Sequence, residues 1–384
     1  MATPVRIVLG AKGFRPFFLL AGLFAVAVVP LWVWSLVGGP APRGVLRGVT
    51  WHAHEMIFGF TVAVIAGFLL TAVENWTQRP TLRGPYLLAV AGIWLAARVG
   101  LWWPGWVGPG LDLLVLPLVA VGIGRPLWAT RNLRNLPFIA LLGGLWLADV
   151  AVYLDAAGLV PDSAAVAHRV AVHVIAVIIL VVAGRVVPMF TRNATGDDRV
   201  HRTVALDRLA IGATLALAAL QLWPATTLTA GVAGVAGVAT LARMWGWQSP
   251  GVFTRPLLWV LHLGHASVGL GLGLSALPAM GISLGSAALH LITVGGIGLL
   301  TLGMMARVSL GHTGRPVRVG PAAGLAFAAV GLAAVSRVLG PWLHPVQATA
   351  WLWTAAALWS VGFSLFVVLY SRILVSPRAD GRPG

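Results

Sequence analysis

The 384-residue chain contains no cysteine. That removes disulfides, thiolate metal sites, iron–sulfur clusters and covalent haem attachment through Cys-x-x-Cys-His together, and leaves any metal to His, Met or carboxylate. Charge is scarce as well: 9% of residues are charged and 59% hydrophobic, where soluble domains carry about 25% charged residues. Acids are scarcest, with 10 Asp and Glu beside 26 Lys and Arg. No Gly-Lys-Ser/Thr phosphate loop occurs, and the glycines of 231–237 and 269–273 lie inside apolar runs with no strand before them. This argues against an ATP- or NAD-driven enzyme.

What the chain does have is one apolar run after another. A helix needs roughly 20 apolar residues to cross the hydrocarbon. Twelve runs qualify, with approximate ends 14–38, 51–72, 85–103, 108–128, 136–155, 163–189, 204–222, 225–245, 256–277, 280–305, 318–339 and 347–372. The expectation is an all-α polytopic membrane protein, a single transmembrane domain over 1–384 built as a bundle of about twelve helices. The first run is too long for a signal segment and lacks a small-residue cleavage site, so it reads as a retained helix. The 47 glycines and 24 prolines suit close helix contacts and kinks in a bilayer. With a cytoplasmic N-terminus, Arg43, Arg47, Arg98, Arg169 and Arg337 fall on the outer side and the other 21 of 26 basic residues on the inner side. That is the positive-inside distribution. The net charge of +16 therefore reads as a topology signal, with no nucleic acid implied. The expected location is the bacterial inner membrane, with both termini cytoplasmic.

Orientation turns sequence position into depth. In Trp51-His52-Ala53-His54-Glu55-Met56-Ile57-Phe58-Gly59-Phe60, two imidazoles and a carboxylate open the second run at the outer face. His168 and His173 lie in the outer half of the sixth run. His262 and His265 lie six to nine residues inside the ninth, and His290 about ten residues into the tenth, roughly mid-bilayer at 1.5 Å per residue. His201 and His312 belong to cytoplasmic connections and His344 to the last outer loop. A lone intramembrane His commonly serves as interhelical glue. Seven on four helices point instead to function, since such groups are costly in lipid and imidazole is the commonest metal ligand. His262 and His265, three apart, share a helix face. His52 and His54 are about 200° apart and face away from each other, so one helix would serve two centres, or offer one ligand and one hydrogen-bond partner. Glu55 is a proton carrier or an acceptor that orients an imidazole. His54, His173 and His290 are expected as ligands, with His52, His262 and His265 close behind. The His-bearing second, sixth and tenth runs are four apart, which suggests three four-helix units, although identity between them is slight.

Four blocks carry a resemblance to a known family: the segment just quoted, Lys12-Gly13-Phe14-Arg15-Pro16-Phe17-Phe18, Gly184-Arg185-Val186-Val187-Pro188-Met189-Phe190-Thr191, and Ala306-Arg307-Val308-Ser309-Leu310-Gly311-His312-Thr313-Gly314-Arg315. Together they resemble NnrS-family proteins over the whole chain. The resemblance implies a haem- and copper-containing membrane protein of nitric oxide metabolism, linked to nitrosative stress and denitrification. A looser likeness to haem-copper oxidases and NO reductases lies in the twelve helices and the His-x-His pair, but the ligand-bearing helices differ in order and no tandem His-His is present.

On that reading the cofactors are haem b, held without covalent attachment, and copper. His312 enters the metal set only through its family block. Arg98 and Arg169 lie in outer helix halves, against the charge rule, and are candidates for haem propionates, which an arginine fork binds well. Arg185 and Arg307 read as interface anchors, and Met304-Met305 as packing. Asp112 and Asp149 are membrane-embedded acids with either an arginine partner or a place on a proton path. The expected activity is reduction of NO to nitrous oxide, with electrons from a quinol or a separate redox protein. The alternatives are a non-catalytic NO-binding or metal-protecting protein, and a haem or metal transporter.

Overall fold

Proline has no N–H to lose in the first turn of a helix and its φ is already helical. It stands in the first turn of the helices that begin at Gly84, Pro137, Pro256 and Pro321. A computed structural model describes residues 8–224 and 226–382, and within them the apolar runs form twelve helical rods: α1 (Phe14–Leu36), α2 (Gly48–Thr77), α3 (Gly84–Gly100), α4 (Val107–Ala129), α5 (Pro137–Ala156), α6 (Ser163–Thr195), α7 (Val204–Leu220), α8 (Thr227–Trp247), α9 (Pro256–Met280), α10 (Ala287–Gly311), α11 (Pro321–Leu343) and α12 (Pro345–Val375). No strand occurs among the described residues. Ten rods are long and apolar enough to cross a membrane. The other two, α3 and α7, have 17 residues each and reach only about 25 Å, short of a hydrocarbon core of about 30 Å. The protein is a multi-pass helical membrane protein.

The chain divides into two compact units. The first comprises residues 1–168, 305–317 and 363–384, and the second 169–304 and 318–362. The first holds α1–α5 with the start of α6 and the ends of α10 and α12; the second holds most of α6, α7–α9, most of α10, α11 and the first part of α12. Among the ten spanning rods those carrying the intramembrane histidines are the most enclosed: 83% of the most apolar window of α2 is buried, 67% for α6 and α9 and 56% for α10, against at most 44% for the other six. A helix apolar all round belongs inside. That keeps the histidine-bearing rods from the lipid.

Two of these rods depart from α geometry. Glu55–Thr61 in α2 and Leu291–Gly298 in α10 are π-helical, each starting directly after a histidine. Thr61 Oγ1 donates to the Met56 carbonyl five residues back, at 2.7 Å. One sequence-based depth needs correction. His290 sits in the first turn of α10, not ten residues in, because the apolar stretch 281–286 is a connection with left-handed Gly281 and Gly285.

The four-helix repeat is visible at the rod ends. Thr77, Thr195 and Thr313 follow one another at intervals of 118 residues. Each hydroxyl donates to the carbonyl four residues back, and each is followed by a left-handed residue: Gln78, Gly196 or Gly314.

Candidate functional site

In the first unit four rods bring their polar side chains to one buried point. The π turn starts at Glu55, so the neighbours His54 and Glu55 both face inward, 0% and 1% exposed. From α5 come Asp149 and Tyr153, four residues apart and so on one helix face. Asp112 comes from the start of α4 and Arg98 from the last turn of α3. His54 Nε2 lies 3.0 Å from Asp149 Oδ1, 3.0 Å from Asp112 Oδ2 and 3.1 Å from the Tyr153 hydroxyl. Tyr153 donates to Asp112 Oδ2 at 2.8 Å. Arg98 Nη1 donates to Glu55 Oε2 at 3.0 Å and Nη2 to Asp112 Oδ1.

Around the cluster, Trp94 Nε1 donates to the Gly59 carbonyl at 3.1 Å and its ring lies under the Arg98 guanidinium. Gly59 has no room for more: a Cβ there would stand 2.9 Å from Glu55 Oε2 and 3.0 Å from Arg98 Nη1. The connection before α2 lies on the end of α3, with the Arg43 amide bonded to Trp102 and the Trp51 and Trp102 rings 5.7 Å apart. Water is thereby kept off the cluster from that end.

Charge bookkeeping defines the chemistry. Three buried carboxylates face one guanidinium, an excess of two negative charges while His54 is neutral. Such an excess in low dielectric is very costly. The cluster must therefore retain a proton or a cation. Ligand atoms of His54, Asp112 and Asp149 all lie within 4.8 Å of one another, close enough for one metal ion. The 3.0 Å separations between His54 Nε2 and the two carboxylate oxygens are hydrogen-bond lengths, so in this geometry the imidazole shares protons with its neighbours.

The remaining histidines divide between the units. In the first, His52 stacks on Trp32 at 4.9 Å, away from the cluster that holds His54. His168 packs near Phe58. His312 belongs to a junction of rod ends. Phe14 is 5.8 Å from its ring, Asn75 3.5 Å from its Nε2, and Arg378 donates to its carbonyl. At the same junction Arg15 caps the end of α12 through the carbonyls of Leu374 and Ser376, and Lys12 pairs with Glu74. The blocks at 12–18 and 306–315 thus meet at this junction.

In the second unit His173, His262 and His290 share one posture. Each places Nδ1 on the carbonyl four residues back, Arg169, Leu258 and Ser286 respectively. For His173 and His290 that assigns the proton to Nδ1 and leaves Nε2 as a lone-pair donor, the form in which imidazole binds metal. His173 Nε2 is buried with no hydrogen-bond partner, while His262 Nε2 lies 3.3 Å from the Trp247 carbonyl. His265 is 0% exposed against Trp247, at 4.7 Å between rings. The Arg169 side chain is exposed.

Two participants escaped the sequence. Tyr153 could have been found from its i,i+4 spacing to Asp149. Arg243, a charge at the end of an apolar run, carried the usual signal of an intramembrane ionisable residue.

No curated protein matches the chain. The profile of the family described as NnrS protein does, from residue 8 to residue 378. That span takes in the buried cluster, all four sequence blocks and the Arg378 contact of the rod-end junction, and its members are membrane proteins related to nitric oxide. The chain belongs to the NnrS family.

Proposed function

We propose that the protein holds haem b and copper in the bacterial inner membrane and reduces nitric oxide to nitrous oxide. Two NO, two electrons and two protons give one nitrous oxide and one water, with electrons drawn from a quinol or a separate redox protein. The observation that carries the reading is the buried His54–Asp112–Asp149–Tyr153–Arg98–Glu55 cluster, whose uncompensated negative charge stores the protons such a reaction consumes.

The residues fit the cofactors in chemistry. Haem and copper supply NO binding and electron transfer when bound. The orphaned, buried Nε2 of His173 fits imidazole ligation, and His290 shares its tautomer. His54 would hold copper together with Asp112 and Asp149, or hold a proton at Nε2. Glu55 carries protons toward His54, its carboxylate kept in place by Arg98. Tyr153 bridges His54 and Asp112 and closes a continuous hydrogen-bonded path between rods α2, α4 and α5.

The test is anaerobic NO consumption by purified protein with a reduced quinol, with haem and copper assayed on the same sample. Nitrous oxide formed at many turnovers per protein is the expected result. Stoichiometric NO uptake without nitrous oxide would make the protein a binder instead, and absence of both cofactors after expression with both supplied would refute the proposal.

A further inference from the structure

The second unit contains ten arginines and three acids, Asp197, Asp198 and Asp207. One of those arginines is inside. Arg243, 1% exposed, lies over the Trp247 ring at 5.1 Å, donates from Nη2 to the Leu180 carbonyl at 3.1 Å and stands 2.5 Å from Asp207 Oδ1. Gly184 makes room for it, since a Cβ there would come within 1.7 Å of Nη2. This gives the first glycine of the 184–191 block a structural reason.

The pairing leaves donors over. Asp207 also takes Arg202, so two guanidiniums share one carboxylate. Arg243 Nε and Nη1, Trp247 Nε1 and Thr240 Oγ1 are buried without an acceptor, and neither ring nitrogen of His265 makes a well-aligned hydrogen bond. Buried polar groups are nearly always satisfied, and an uncompensated buried charge is the costliest exception. Donors outnumber acceptors here and the residual charge is positive, so the missing partner is an anion with several acceptor lone pairs.

We propose that Arg243, Trp247 and Thr240 form a binding site for a small oxyanion of carboxylate size, either a free ion or the carboxylate arm of a larger cofactor. Only the second source rests on the haem reading. The cluster would bind its oxyanion through charge-assisted hydrogen bonds, which are short and strong.

The experiment is thermal unfolding of the full-length protein in detergent, prepared with and without haem supply, titrated with sodium formate against sodium chloride at equal ionic strength. The haem-free wild type should show a saturable rise in midpoint with formate beyond that with chloride. Trp247→Phe keeps the ring against Arg243 and His265 but loses the N–H. Combined with Thr240→Val it should weaken the apparent formate affinity by roughly tenfold or more. Loss of the formate response on haem loading assigns the site to the cofactor's carboxylate, and its persistence assigns it to a free ion. No formate response in the haem-free wild type, or an unchanged affinity in the double variant, overturns the site. A chain that takes up no haem but still answers to formate would refute the haem reading alone.

Discussion

Replacing Arg98 by Met tests the charge bookkeeping of the first unit directly. Among the described residues Arg98 is the arginine paired with Glu55 and Asp112, all three being 4% exposed or less. Methionine retains much of the stem that packs on Trp94 and removes both hydrogen bonds. Breaking a buried ion pair by deleting one partner costs about 3–5 kcal/mol, a large share of a typical native stability of about 5–15 kcal/mol. Tyr153→Phe, which removes one hydrogen bond to a carboxylate, should cost about 1.5–3 kcal/mol. The decisive variant is Arg98→Met combined with Glu55→Gln and Asp112→Asn. It removes the charges that the arginine neutralised and should recover most of the loss, because neutral replacement of a buried pair is often close to costless. Unfolding in dodecyl sulfate mixed micelles, followed by tryptophan fluorescence, gives all three free energies. A triple variant no more stable than Arg98→Met would show that the arginine acts by shape and not by charge.

Further outcomes follow from the same geometry. Glu55→Gln should slow NO turnover severalfold or more while haem and copper stay bound; full activity would remove Glu55 from the proton route. Burial, with repulsion from Lys12 and Arg378 and partly opposed by Glu74, holds His312 down to about 4 from an ordinary 6.5. Its neutral ring thus supports the rod-end junction fully above pH 6.5, and that support is lost as pH falls toward 4. The stability difference between wild type and His312→Gln should shrink over that window and stay constant above it, and a flat difference would refute the assignment. The cysteine-free chain suits topology mapping: Ala157→Cys should react with an impermeant maleimide from the periplasmic side and Leu133→Cys only after lysis, and the reverse would invert the orientation. On the proposed route, with protons and electrons both entering from the outer side, turnover should leave the interior pH of oriented vesicles unchanged.

How much was legible in advance depended on what kind of signal each feature leaves. Twelve runs became twelve rods, ten of them long and apolar enough to cross a membrane, because hydropathy reports burial in lipid directly. The same property hid the 281–286 connection, which is apolar enough to pass for helix, and so displaced His290. The partners of His54 were half visible: Asp112 and Asp149 stood out as acids in apolar surroundings, whereas Tyr153 near a rod end looked like an ordinary interfacial aromatic. Arg98 was legible as an anomaly, and the structure engages it with carboxylates of its own unit. Arg243 falls where an inner-side anchor belongs by the charge rule, so topology masked it. Neither π segment leaves a periodicity of its own.

The repeat explains why the π segments occur where they do. His54 precedes Thr77 by 23 residues, and His290 precedes Thr313 by the same number; His173 precedes Thr195 by 22. A π turn amounts to one residue inserted in an α-helix. Counting back from the common threonine end, a rod with such a turn needs one residue more to reach the same level. Rods α2 and α10 have the turn and α6 does not. The three histidines are therefore equivalent in their repeats despite the difference in spacing, and Gly59 and Gly295 mark the same point of the two π turns, each against a close neighbour, Arg98 and Ser267 respectively. Deleting Gly295 should return α10 to α geometry at the 22-residue spacing of α6 and leave His290 at its level and bearing relative to Leu299–Gly311. On the proposed ligation, haem or copper content should then stay near that of the wild type, while a His290→Ala variant is depleted. A deletion variant as depleted as His290→Ala, with its helical circular dichroism kept, would show that the π turn is not an inserted residue but aims the histidine.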